Sequence, residues 1–295
     1  MNKVKFLLLV WATALFISCG TTRTVPITGR KQSLMVSNQE IMSLSNKEYT
    51  QYMASAKKSA NTANTAMVQR VGKRLAASVE QYLKNNGMAA EVSEYNWEFN
   101  LVQDKSANAF CLPGGKIVVY EGLLPYTRNE AGLAIVLGHE IAHAVAKHSA
   151  EQMSKQIKQQ YGTQVLTGVL NASTGSNVGS YVGVLAQQGL KLRNLKYSRD
   201  HETEADYMGL IFAAMAGYNP QEAIAFWQRM SGGKNSQSDF LSDHPSDAKR
   251  IAALQRQMPE ALKYYKPGGT TASAPPSISL DRLTGAKQTT AGKKK

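Results

Sequence analysis

The chain has 295 residues, with 34 Lys and Arg against 21 Asp and Glu, a formal net charge of +13. At 43% hydrophobic and 19% charged it has the composition of globular material, which excludes a mostly disordered, collagen-like or polytopic membrane chain. Two cysteines exclude a disulfide-framed scaffold.

The N-terminus carries Lys3 and Lys5, an apolar run from Phe6 to Ile17, and then Ser18, Cys19 and Gly20. Twelve apolar residues are too few to cross a bilayer comfortably, so residues 1–18 read as a signal peptide. The placement of Cys19 resembles a bacterial lipobox, with Phe16 in place of the usual leucine. It predicts cleavage before Cys19, acylation of its thiol and attachment to a membrane through that lipid. The implied location is the bacterial cell envelope, lipid-anchored and periplasm-facing, in the outer membrane. Residues 19–36 read as a linker. At the other end, residues 266–295 are rich in Gly, Thr, Ser, Ala and Pro and end in three lysines, which predicts a disordered basic tail. Two positive charges belong to the signal peptide and a net five to the tail, so the part between them carries only +6. No nucleic-acid-binding motif is present, and nucleic acid is not expected as a partner.

Between these ends lies one expected domain, residues 37–265. Ser37 and Glu40 have capping-box spacing and open a helix to about Lys58. Met67, Val68, Val71, Leu75, Val79, Tyr82 and Leu83 recur at helical spacing until Gly87. The period then drops to two, with Trp97, Phe99 and Leu101 alternating against Glu98 and Asn100, as in a half-buried strand. Ala109 to Leu112, Pro113-Gly114-Gly115 and Lys116 to Tyr120 read as a hairpin. Thr127 and Glu130 suggest a second capping box before a long helix through Leu133, Leu137, Ile141 and Val145. Residues 162–189 suggest two short helices around a joint. Further helices are expected from Ser198 to Ala216, from Asn219-Pro220 onward, and from Ser246 to Gln257. The fold class is α+β, mainly helical, with a small antiparallel or mixed sheet.

The chemistry concentrates in His139-Glu140-Ile141-Ala142-His143. Residues four apart share a helical face, so both imidazoles can reach one metal ion. Two neutral imidazoles, a carboxylate and an open position suit zinc, one Zn2+ per chain. Glu140, rotated about 100° from His139, can face a water in the open position and act as general base. The helix around the motif is apolar nearly all round, and buried imidazoles and acids are costly there unless paired or metal-bound. A third ligand is sought among His201, Glu202 and Glu204. Glu202 is favoured because Asp206 shares its face and can accept a ligand histidine's other N–H, while Arg199 offers partial neutralisation. Glu204 is expected to point the other way, toward solvent or Arg193. His148, five residues after His143, is expected off the metal face.

In order, H-E-x-x-H at 139–143 and E-x-x-x-D at Glu202 and Asp206 resemble the gluzincin metallopeptidases related to HtpX and the CAAX prenyl endopeptidase, in particular short bacterial lipoprotein members. Matching stretches are Val25-Pro26-Ile27-Thr28-Gly29-Arg30, residues 108–115 from Asn108 to Gly115, and residues 240–245 from Phe240 to Pro245. The resemblance implies a zincin-like fold and zinc-dependent endopeptidase activity on extended, misfolded or unassembled envelope proteins, with envelope assembly machinery as a partner. It implies His139, His143 and Glu202 as ligands and Glu140 as base. It also implies a substrate strand at Gly114, Gly115, Lys116 and Ile117, read as an exposed sheet edge. His244 is implied as the residue that stabilises the oxyanion or covers the metal in a latent state. The competing reading is a non-proteolytic envelope chaperone or assembly lipoprotein that retains the zinc site.

Overall fold

The computed structural model describes residues 21–170, 178–232, 240, 244 and 248–267. The proposed signal peptide, Cys19 and nearly all of the proposed tail lie outside them. Among the described residues, no helix is long and apolar enough to cross a membrane.

The segment read as a linker carries a hairpin, β1 (Thr21–Thr24) and β2 (Lys31–Leu34), paired antiparallel. Its turn is not solvent-directed: Val25, Ile27 and Thr28 are buried. Helix α1 (Asn38–Ser55) starts at the expected capping box, with Ser37 accepting from the Glu40 N–H and Glu40 from the Ser37 N–H. Helix α2 (Thr62–Asn85) buries the stripe Val68, Val71, Leu75, Val79, Tyr82 and Leu83, and Gly87 follows it at φ 75°. The one-turn helix α3 (Ala89–Val92) leads to the main sheet.

That sheet is mixed. Strands β3 (Glu98–Val102), β4 (Ala109–Leu112) and β5 (Lys116–Tyr120) lie in the order β3-β5-β4, with β3 parallel and β4 antiparallel to β5. The turn between β4 and β5 uses Gly114 and Gly115, both at φ 85°, a region side chains resist. A Cβ on Gly115 would stand 2.4 Å from the Trp97 ring. Alternation assigns Phe99, Leu101, Ala109, Cys111, Ile117 and Val119 to the main core. Val102, Phe110, Leu112 and Val118 face a second core with Ile41, Met153 and Ile157.

After the one-turn helix α4 (Leu124–Thr127) come α5 (Glu130–Val145), α6 (His148–Leu170), α7 (Val178–Gln187), α8 (Arg199–Met215), α9 (Glu222–Gly232) and α10 (Ala248–Leu262). The N-cap of α5 is Asn129, whose Oδ1 accepts from the Gly132 N–H at 2.8 Å, not Thr127. Thr127 closes α4, Arg128 turns the chain at φ 63°, and Glu130 pairs with Arg70 across to α2. Residues 162–189, expected as two short helices, belong to a 23-residue α6 and a ten-residue α7, with 171–177 outside the described residues.

Two central helices, α5 and α8, position the site. They cross at Gly138 and Gly209, where a Cβ on Gly138 would meet the Gly209 carbonyl at 2.8 Å and one on Gly209 the His139 nitrogen at 2.8 Å. Only glycine permits this approach, and it sets His139 opposite Glu202 and Asp206, two turns and one turn before Gly209 on α8 respectively.

Candidate metal centre

Helix α5 projects His139 and His143 from successive turns, and Glu202 reaches them from the first turn of α8. Ser198 fixes that turn by accepting the His201 N–H at 3.2 Å. The two Nε2 atoms lie 3.1 Å apart. Glu202 carboxylate oxygens stand 3.5 Å from His139 Nε2 and 3.4 Å from His143 Nε2. His244 Nδ1 approaches His139 Nε2 at 3.1 Å and both Glu202 oxygens at 3.1 Å. All four residues are buried, and their ligand atoms fall within 4.8 Å of one another.

These residues fit zinc. Four donors about 2.1 Å from a tetrahedral ion stand about 3.4 Å apart, close to the separations seen. The lone pairs of His139 and His143 would repel each other at 3.1 Å without a cation or a proton between them. Charge agrees: ionised Glu140, Glu202 and Asp206 against Arg250 leave two negative charges, which a divalent cation neutralises. Burial disfavours an imidazolium at His139, yet Asp206 and Glu202 raise it to about 9, so this point in the fold favours positive charge. Glu202 is penalised by burial but held well below the usual carboxylate range by His244, His139 and His143.

Glu140 is the exception. Burial pushes its carboxyl up, only partly offset by His244 and His139. Its Oε1 has no hydrogen-bond partner, and His244 Nε2 stands 3.5 Å from it. A buried carboxylate oxygen left bare beside metal-directed donors is suited to take a proton from a molecule that enters the site.

Asp206 lies where the spacing placed it, with Oδ1 accepting the His139 Nδ1–H at 3.0 Å. Its partner is not the exposed Arg199 but Arg250 of α10. Arg250 donates to both Asp206 oxygens at 2.7 Å, donates to the His244 carbonyl at 3.2 Å, and comes within 3.2 Å of Glu202. Its guanidinium lies 3.7 Å from the Trp227 ring. Sequence reading missed Arg250, although it shares a helical stripe with Leu254, Met258 and Ala261, all buried. Tyr197 was also missed; it stacks on His143 with 4.1 Å between ring centroids and shares a hydrogen bond with Ser149 at 2.8 Å.

Two expectations are corrected. Glu204 faces away from the metal donors but is fully buried, bonded to Thr28, Arg30 and His148, while Arg193 pairs with Glu48. The other correction concerns Lys116 and Ile117: they are not an exposed edge. They belong to the central strand β5, bonded on both sides, and Lys116 donates to Glu98 at 2.6 Å. Gly115 packs under Trp97, and Gly114 lines a small pocket with His143, Met42, Tyr95 and Pro113. His148 stands outside the group of metal-directed donors; it touches the far nitrogen of His143, Nδ1 to Nδ1 at 2.8 Å, because α5 ends at Val145 and Lys147 turns the chain at φ 54°.

Comparison with known proteins places this geometry. Residues 62–258 match the family model described as Peptidase family M48. Mitochondrial metalloendopeptidase OMA1 of Schizosaccharomyces pombe is 36% identical over 186 residues, 62% of this chain and 53% of that protein. The mitochondrial metalloendopeptidase OMA1 of Bos taurus is 32% identical over 263 residues, 87% of this chain and 49% of its own length. The beta-barrel assembly-enhancing protease of Yersinia pestis is 28% identical over 180 residues, 56% of this chain and 36% of its own. The chain thus spans about half the length of the first two. The expected location, lipid-anchored and periplasm-facing in a bacterial outer membrane, is overturned by these matches, since the two more similar relatives are mitochondrial proteins.

Proposed function

The chain belongs to peptidase family M48, and from that premise we propose that it is a zinc-dependent endopeptidase. The observation that carries the reading is the meeting of His139, His143 and Glu202 donor atoms beside the bare Oε1 of Glu140. His139, His143 and Glu202 would hold the ion. When bound, zinc supplies Lewis-acid polarisation of the scissile carbonyl and lowers the pKa of a coordinated water to about 7.

The chain's own residues do the rest. Glu140 takes the proton of the attacking water on Oε1 and returns it to the departing amine nitrogen. Its raised pKa suits both directions of transfer. Asp206 holds the Nδ1–H of His139 and keeps Nε2 directed inward, and Arg250 fixes Asp206 and Glu202 together.

The substrate is an extended, unfolded polypeptide segment lying along β4. Tyr120 N–H donates to the Asn108 carbonyl, so even-numbered residues of this segment bond inward to β5. Ala109 and Cys111 then turn their main-chain groups outward, and the Cys111 main chain lies near enough to Glu140 to favour its ionised form. A chain adding to that edge passes directly over the base.

His244 serves as a cover. Its Nδ1 stands among the metal-directed atoms, and its 4% exposure closes the position that a water must enter. On this reading the chain is latent until His244 withdraws. The test is proteolysis of an unfolded polypeptide by wild type and His244→Ala, with zinc removed by chelator and then restored. The proposal expects faster cleavage by His244→Ala, abolished by chelation and recovered with zinc. Cleavage indifferent to chelation would contradict it.

A further inference from the structure

The stretch Val25-Pro26-Ile27-Thr28-Gly29-Arg30 has no place in the chemistry above, yet it is folded against the back of the metal site. Ile27 stands at φ 66° and Gly29 at φ 68°, so the turn holds a conformation that side chains resist. The Tyr82 hydroxyl accepts the Ile27 N–H at 3.2 Å. The turn is thereby set to deliver Thr28 and Arg30 inward. Thr28 Oγ1 donates to Glu204 Oε1 at 2.6 Å. Arg30 Nε donates to the same carboxylate at 2.9 Å, while its two terminal nitrogens each donate to Glu151 at 2.7 Å.

The chain of hydrogen bonds continues to a metal-directed residue. Glu204 Oε2 lies 2.9 Å from His148 Nε2, and His148 Nδ1 lies 2.8 Å from His143 Nδ1. Its polarity is fixed from one end. A carboxylate already accepting from Thr28 and Arg30 can only accept from His148, so Nε2 of His148 carries the proton. Nδ1 of His148 is then an acceptor, and His143 must donate its Nδ1–H. The lone pair of His143 is left on Nε2, the atom 3.1 Å from His139 Nε2. Glu204 and His148 are fully buried, so water does not stand in for either of them.

We propose that Thr28, Arg30, Glu204 and His148 are positioning residues for the metal site: they form a relay that fixes the tautomer and ring orientation of His143 from the N-terminal hairpin. The arrangement parallels the direct Asp206–His139 contact, with one histidine interposed. His148, Glu151 and His201 could be mistaken for a second metal site. Both nitrogens of His148 are committed to hydrogen bonds, and Glu151 is bonded by Arg30 and Gln32, so this cluster is the relay's scaffold. One guanidinium serves two carboxylates in a planar fork, a task the single ammonium of lysine does not reproduce.

The inference rests on zinc binding at His139, His143 and Glu202, and the test separates the two. Zinc affinity of the full chain is measured by competition with a chromophoric chelator for wild type, Glu204→Gln, His148→Phe and Arg30→Lys, alongside metal-free melting temperatures. The relay predicts about 10- to 100-fold weaker zinc binding in each variant. Lower melting temperatures with unchanged zinc affinity would reduce the network to a structural one and overturn the relay. A wild type that takes no zinc would overturn the endopeptidase reading as well. A measurement on wild type alone keeps the test independent of variant folding: nitrogen-15 spectra of the metal-free chain, where no ion sets the tautomer, should show the His143 proton on Nδ1. A proton on Nε2 would refute the proposal.

Discussion

Arg250 shows how much of the site depends on one residue with no place in the signature motif. It binds Asp206 with two donors and stands within reach of Glu202, all in a region closed to water. Removing it leaves two buried carboxylates without their cation, a change that typically costs about 3–5 kcal/mol. Arg250→Met is therefore expected to lower the denaturant midpoint strongly in the metal-free chain, with zinc restoring part of the loss. Glu151 carries a pH signature at the same scale. Burial works against its charge, but hydrogen bonds from His201 and Arg30 hold its carboxyl well below the usual range. A depressed folded pKa means stability that is present above the unfolded value of about 4.3 and lost as pH falls below it. The stability gap between wild type and Glu151→Gln should thus be full near neutrality and shrink as pH falls below about 4.5, measured by chemical denaturation. A gap independent of pH would show that Glu151 is not held as an anion. The spacing of His139, Glu140, His143, Glu202 and Asp206 was readable because helical periodicity alone brings those side chains to shared faces. Arg250, Tyr197 and His244 come from other segments, and only tertiary packing shows what they touch.

The crossing of α5 and α8 at Gly138 and Gly209 is the element-scale device that holds the site. Gly209→Ala would place a methyl about 2.8 Å from the His139 nitrogen, and the helices must separate to admit it. Such overpacking costs about 1–3 kcal/mol. It also moves Glu202 from the histidines, so zinc affinity should fall together with the melting temperature. A variant that loses stability but binds zinc as before would show that the crossing does not set the ligand geometry. The elements themselves were largely legible: α1, α2, the β4–β5 hairpin, α5 and α8 follow from capping, periodicity and turn residues. Three features escaped sequence reading, each for its own reason. Apolar alternation does not say which strand is central, so β5 passed for an edge. The left-handed turn at Lys147 has no glycine to announce it, so the contact of His148 with the far nitrogen of His143 was not legible. The hairpin of β1 and β2 has few apolar residues of its own and gains order by bonding to helices far along the chain.

At the scale of the whole molecule, the N-terminal hairpin, the central helices and α10 converge on one buried charge cluster. The fold closes around it: His139, Glu140, His143, Glu202 and His244 are each less than a tenth exposed. On the proposed reading, holding a metal and using it are separate, with His244 between the two states. The most direct test of that account is a paired measurement on Glu140→Gln in the His244→Ala background: zinc per chain by elemental analysis, and the rate of cleavage of an unfolded polypeptide. The account predicts one zinc retained per chain and a rate reduced by about 10²- to 10⁴-fold, as expected when a general base is lost. Cleavage at the rate of the Glu140-containing chain, with zinc still bound, would contradict it.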